Sequence, residues 1–328
     1  MRQTEAIRIK EKLLRKFIFL CLLLLVLNYF IVPVQAETEM PLMIVVENHP
    51  QSRPQAGLNQ ADVVYEFLVE GGITRFLAGY FSSPPDKAGP IRSLRSYMLK
   101  VAGEYAVPIF HNGASYDALQ VAANNDFTTI DEIKHQHYFW RYGGRSRPHN
   151  LYTDSSSLEH AFENHFSNDK FEGELPKKDS GQLNFLNFIS EADENNWKNG
   201  ESAKDITLTY WSNKIEYRYQ DEEDKYKRFI AGNPHYLEEN EVVSPDNLVV
   251  MFASHEIVDD QRRLNIDLSG SGSAKYFSQG KIKTGRWQNT GDNDDAQFEF
   301  FADNEEKISL SPGLTWIQVV PTTATINF

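Results

Sequence analysis

The chain has 328 residues, 41% hydrophobic and 12% aromatic, with a formal net charge of −13. That length and apolar content supply real cores for two domains and exclude disorder of the whole. The acidic balance argues against nucleic acid as a partner, because a polyphosphate would be repelled.

Residues 1–36 read as an export segment: "MRQTEAIRIKEKLLRK" carries six Lys/Arg against two Glu, and "FIFLCLLLLVL" follows, ending at Val34-Gln35-Ala36. A basic head, an apolar middle and a small-residue end define a signal peptide cleaved after Ala36. The alternative is a retained signal anchor, since Phe17 to Val34 is 18 residues long and approaches spanning length. In both readings the body is extracytoplasmic, and the N-terminal segment is its sole link to the membrane. Removing that segment leaves 27 Lys/Arg against 44 Asp/Glu, a net −17. Cys21 is the single cysteine, so the exported part can hold no disulfide and no cysteine-based zinc site.

"PLMIVVENHP" opens the body with a buried strand at Leu42 to Val46. "ADVVYEFLVEGGITRFLAGYFSS" gives a hairpin, Val63 to Val69 and Thr74 to Ser82, turning at Gly71-Gly72. Pro90 sits where a helix would begin, which predicts a helix from about Ile91 to Tyr105, with Leu94, Met98, Val101 and Ala102 as its apolar stripe. A strand at Val107 to Phe110 and a helix in "ASYDALQVAANN" follow. The composition then turns polar and broken, and beyond it the chain is strand-like: "ITLTYW", "IEYRYQ", "KYKRFIAG", "NLVVMFASHEIV", "RLNIDL", "KIKTGRW", "AQFEFFAD" and "LTWIQVVP". The expected fold class is an α+β, mixed α/β N-terminal domain over residues 37–170, a linker over 171–200, and a smaller, mostly β C-terminal domain over 201–328.

Arginines mark the candidate site. In the expected helix, Arg92 and Arg95 share the first turn, where free N–H groups and two guanidinium forks would attract an anion. The alternative is that they pair with the chain's own carboxylates. Arg75 follows a Gly pair, and "FWRYGGRSRPHNLYT" gathers Arg141, Arg145, Arg147 and His149. Asn112 and His111 end a predicted strand, where α/β sheets hold ligands. Asp62, Glu66 and Glu70 fall on one side of a strand by period-2 counting. They are candidates to balance an arginine, bind a cation, or act as general base; with His111 they complete the catalytic candidates. His135 and His137 are spaced like a metal pair but have no third ligand nearby. Neither a metal nor a cofactor is expected.

"VVENHPQSRPQAGLNQADVVYEFLVEGGITRF", "GPIRSLRSY" and "RPHNLYT", with "GRW" and "PGLTWIQVVP" further on, resemble the YerB-like (DUF3048) family of bacterial cell-envelope proteins across residues 41 to 325. The resemblance implies an architecture and no reaction. Members are commonly lipoproteins, whereas Cys21 follows Leu20 rather than a small residue. A weaker similarity, in "TRF" and "PIRSLR", is to the LytR-CpsA-Psr phosphotransferases, which act on lipid-linked pyrophosphorylated cell-wall glycans. Three functions follow: an envelope protein binding an anionic ligand or protein partner through the arginines, an enzyme of the phosphotransferase kind, and a scaffold in which arginines and carboxylates satisfy one another.

Overall fold

Residues 40–125, 127–165, 187–188, 197–198, 200–211, 213–291 and 298–328 are described by the computed structural model. Residues 1–36, which were expected to be an export segment and include Cys21, and most of the expected linker lie outside the described residues.

Leaving aside two-residue ladders, the strands are β1 (Leu42–Glu47), β2 (Val63–Leu68), β3 (Thr74–Tyr80), β4 (Ile109–His111), β5 (Thr129–Asp131), β6 (Leu151–Asp154), β7 (Asp205–Tyr210), β8 (Asn213–Gln220), β9 (Lys225–Ile230), β10 (Asn247–Ile257), β11 (Leu264–Asp267), β12 (Ser271–Ser278), β13 (Lys281–Asn289), β14 (Phe298–Ala302), β15 (Thr315–Pro321) and β16 (Thr325–Asn327). The helices are α1 (Ser96–Tyr105), α2 (Tyr116–Asn124) and α3 (Ser155–His165).

The apolar runs become strands because each buries its side chains on both faces, as β1, β2, β3 and β15 do along their whole length. One 12-stranded sheet begins with the two-residue strand Glu201–Ser202 and continues in the order β13-β12-β10-β15-β2-β3-β1-β4-β5, with β11 beside β10 and β14 beside β13. Strands from before and after the polar stretch at 166–200 therefore share one sheet, and β2 pairs parallel with β15 from Val63↔Thr315 to Phe67↔Val319. A five-stranded sheet contains β9-β8-β7-β16. It packs on β2 and β15 through Tyr210, Tyr217 and Arg228.

The protein is mostly β. The α/β character expected of the N-terminal part is confined to parallel β1, β4 and β5 with α1 and α2 between them in sequence. The hairpin is as expected: Glu66 pairs with Phe76, Val69 N–H bonds to Ile73 C=O, and Gly71 and Gly72 take φ of 78° and 72°.

The helix expected from Ile91 begins only at Ser96, and Arg95 is its N-cap with extended φ/ψ of −127° and 152°. The stretch Ile91–Leu94 is extended instead. Arg92 N–H bonds to Val45 C=O and Leu94 N–H to Gly113 C=O, while Asn112 N–H bonds to Arg92 C=O and Ser115 N–H to Leu94 C=O. Backbone groups that a first helical turn would leave without partners are satisfied here by β1 and the end of β4. Arg92 and Arg95 therefore do not share a helix face.

Candidate functional site

Strands β1, β4 and β5 run parallel, so their C-terminal ends lie along one edge, where an open α/β sheet holds its ligands. The residues that follow them are Glu47 to His49, His111 to Gly113, and Asp131 to Ile133. Gly113 turns the chain at φ 63°, and its N–H is held 2.8 Å from Asp131 Oδ1. The antiparallel β3 begins beside this edge and brings Arg75 opposite Glu47.

Arg75 is the unusual cation here. It is only 7% exposed; Nη1 donates to Ser93 C=O at 2.7 Å, and Nε is buried without a partner. No carboxylate lies within ion-pair distance among the described residues, since Glu47 is taken by Arg92 (2.8 Å) and by His149 (2.9 Å). Burial, and then the neighbouring Arg95, pull the Arg75 guanidinium down to about 10, so it is still charged at neutral pH.

Arg95 is compensated: Nε and Nη2 each donate to Glu70 at 2.8 Å. Burial opposes both charges, but the fork geometry outweighs it, so the Glu70 carboxyl sits below its ordinary value and Arg95 above. Asn112 Nδ2 donates to Glu132 at 3.0 Å, and Glu132 pairs with Arg141 at 3.2 Å. Arg141 reaches Asn150, whose Nδ2 donates to the Arg145 C=O. Arg145 turns away toward Ser52 C=O, Pro54 C=O, Tyr152 and Glu238. Arg147 is exposed and makes neither an ion pair nor a hydrogen bond among the described residues.

The edge thus joins Arg75, Arg92, Arg95, Asn112, Arg141 and His149 into one cluster, with Arg145 at its margin and Arg147 apart.

The catalytic candidates are not brought together. Asp62 precedes β2 and accepts from Phe81 N–H, Ser82 N–H and Ser82 Oγ at the opposite end of the hairpin. Glu66 lies mid-strand with no exposure, and Glu70 is at the arginine edge. Four residues of strand separate neighbours by about 13 Å, so a shared side does not make a shared site. His111 is 1% exposed; Nδ1 faces Gly113 C=O at 2.9 Å, Nε2 is buried without a partner, and burial lowers its proton affinity. It is a neutral core histidine under the edge.

His135 and His137 meet His160 and His165 of α3 around Tyr138. No group of three or more His, Cys, Asp or Glu is arranged to hold a metal among the described residues. A cleft of about 520 Å³ lined by residues such as Asn59, Lys225, Lys227 and Glu241 lies away from this edge and mixes both charges.

Glu47 and His49 were not singled out from the sequence, although "ENHP" directly after an apolar strand is where the C-terminal edge of a sheet would be sought. Glu66 serves a different arginine from those expected. Arg228 Nη2 donates to both its oxygens at 2.8 and 2.9 Å, and Thr74, Trp316 and Gln318 also donate to it. Arg228 Nη1 reaches His235 Nδ1 at 2.6 Å, and His235 Nε2 reaches Gln55 Oε1 at 2.8 Å. Its signal was alternation: Tyr226 and Arg228 fall on the buried face of β9.

An arginine-framed edge lies on a mixed sheet, and a second β sheet is locked over the middle of that sheet through the Glu66–Arg228 pair. The chain belongs to the DUF3048 family: residues 31–169 match the family described as Protein of unknown function (DUF3048) N-terminal domain, and residues 206–317 match its C-terminal domain. A relative from Bacillus subtilis (strain 168), named "Putative lipoprotein YerB", is 30% identical over 287 residues, covering 86% of this chain and 81% of that protein. The crystal structure of YerB from Bacillus subtilis superposes with a TM-score of 0.73 at 28% identity, covering 89% of this chain and 95% of that one.

Proposed function

We propose that this protein is an extracytoplasmic envelope component that binds an anionic group at the edge formed by Arg75, Arg92, Arg95, Asn112 and His149. The observation that carries the reading is Arg75: a buried guanidinium without a carboxylate partner, next to two further arginines. Holding an uncompensated cation in a protein interior costs stability. A bound anion beside the guanidinium would offset that cost. Arg92 and Arg95, each tethered by a carboxylate, would set the rim and orient the group. The relative's name, a lipoprotein, accords with a body held outside the membrane. No helix of the described residues is long and apolar enough to cross a membrane.

The test is calorimetric titration with inorganic phosphate and with succinate, alongside thermal unfolding. Arg75→Gln should weaken binding at least about ten-fold, since a charge-assisted hydrogen bond contributes about 1.5–3 kcal/mol. Its melting temperature should hold or rise, because the substitution removes a buried charge that has no carboxylate partner. Absence of binding by the natural protein, or equal binding by the variant, would overturn the reading.

A further inference from the structure

Three apolar side chains beside the arginine edge lie outside the core. Ile133, in the loop after β5, is 62% exposed, and Tyr116, at the start of α2, is 70% exposed. Leu119, also exposed, lies three residues beyond Tyr116 and shares its helix face. None of the three packs on the hydrophobic core, whereas Val121 and Ala122 of the same helix do.

A single exposed apolar residue needs no explanation, but these are fixed against the site. Ile133 N–H donates to Asp131 Oδ1 at 3.1 Å, the same oxygen that accepts from Gly113 N–H. Ile133 Cδ1 lies 3.5 Å from the point that a Cβ on Gly113 would take, and Ser93 Oγ lies 3.8 Å from that point. Gly113 follows Asn112, and the Ser93 C=O accepts from Arg75 Nη1 at 2.7 Å. Ile133 therefore stands against the turn that carries Asn112 and beside the residue that holds the buried guanidinium. The start of α2 is tied to the same place, because Ser115 N–H donates at 3.2 Å to the C=O of Leu94, the neighbour of Arg95.

The charges along this rim favour an anion. The Lys134 ammonium, next to Ile133, is exposed and makes neither an ion pair nor a hydrogen bond among the described residues. The two carboxylates beside it are engaged, Asp131 by the N–H groups of Gly113 and Ile133, and Glu132 by Asn112 and Arg141. A bare inorganic ion would use the cations and leave the apolar rim in water. A ligand that covers both has an anionic head and a hydrocarbon chain.

Resting on the anion-site reading above, we propose that the edge takes an amphiphilic anion, with its head beside Arg75, Arg92 and Arg95 and its chain laid over Ile133 and Tyr116. The occupant is a dispersed molecule rather than a bilayer surface, because residues 37–328 carry a net −17, which repels an anionic membrane.

The experiment is calorimetric titration of the natural protein with inorganic phosphate, octyl phosphate, acetate and octanoate, both amphiphiles being kept below their micelle concentrations. At least one amphiphile should bind at least about ten-fold tighter than its bare head, since several buried methylenes add to the affinity. Tighter binding of octyl phosphate would assign a phosphate head, and tighter binding of octanoate a carboxylate head. Arg75→Gln should weaken the amphiphile and its bare head alike. Ile133→Ser combined with Tyr116→Ser should remove most of the gain from the chain while leaving inorganic phosphate binding and the melting temperature unchanged, because neither side chain packs on the core. Amphiphiles that bind no tighter than their heads, or a gain that survives the double substitution, would overturn this inference and leave the anion site standing. No binding of any of the four compounds would overturn both.

Discussion

Arg228 and Glu66, 162 residues apart in sequence, form an ion pair in which neither side chain has any exposure. The pair lies where the five-stranded sheet meets β2 and β15, and the guanidinium also sits 5.2 Å from the Trp316 ring centroid. Each Glu66 oxygen accepts at least two hydrogen bonds. A lone buried charge would not be tolerated there, and this network is complete around the carboxylate.

Glu66→Gln should therefore destabilise the protein by about 3–5 kcal/mol, because it leaves Arg228 charged and unpaired in the core. The amide would also turn two hydrogens toward groups that already donate. Urea unfolding should show a lower midpoint with an unchanged slope. An effect below about 1 kcal/mol would show that water reaches the pair.

Acid should weaken the same region through His235. Burial, then Arg228 and Arg53, hold its proton affinity well below the ordinary value of 6.5. Its Nδ1 accepts from Arg228, and protonation would break that bond and set cation against cation. The unfolded chain takes up the proton near pH 6.5 and the folded one does not. The contribution is thus complete above about 6.5 and is lost as pH falls, by up to about 1.4 kcal/mol per unit. Glu104, pushed up by burial, acts in the opposite sense but is common to both proteins. Chemical unfolding of the natural protein and of His235→Gln between pH 7 and 5 should show the shallower acid slope in the variant; parallel slopes would contradict it.

Glu70→Gln should tighten phosphate binding by a few-fold. Arg95 spends its fork on Glu70, and both side chains are partly exposed, at 15% and 23%, so the pair contributes at most about 1 kcal/mol to stability. Releasing it returns a cation to the edge at little structural cost. Titration calorimetry and a melting curve of the variant check both halves, and weaker binding would place Arg95 outside the site.

Proteolytic cleavage within residues 167–200, a stretch polar and broken in sequence, should give two pieces that co-elute on native gel filtration. The β2–β15 ladder and the Glu66–Arg228 pair join them. Pieces that separate without denaturant would show that these contacts do not hold the halves together.

The sequence by itself determined the strands. "LMIVVE", the Gly71-Gly72 hairpin, the helix after Ser115 and the runs in the second half are local signals, because alternation, turn residues and apolar runs act over a few neighbouring residues. It also flagged the arginines that gather at the edge. Only the tertiary structure decided that Ile91–Leu94 is extended, since the competing partners are backbone groups of Val45 and Gly113, which are distant in sequence. Only it showed that Glu66 answers Arg228 rather than Arg92 or Arg95, that Glu47 is shared by Arg92 and His149, and that Arg75 has no carboxylate partner among the described residues. The physical reason is one of range. A side chain's charge partner is set by which strands become neighbours, and strand order in a mixed sheet is fixed by long-range pairing that local periodicity does not encode.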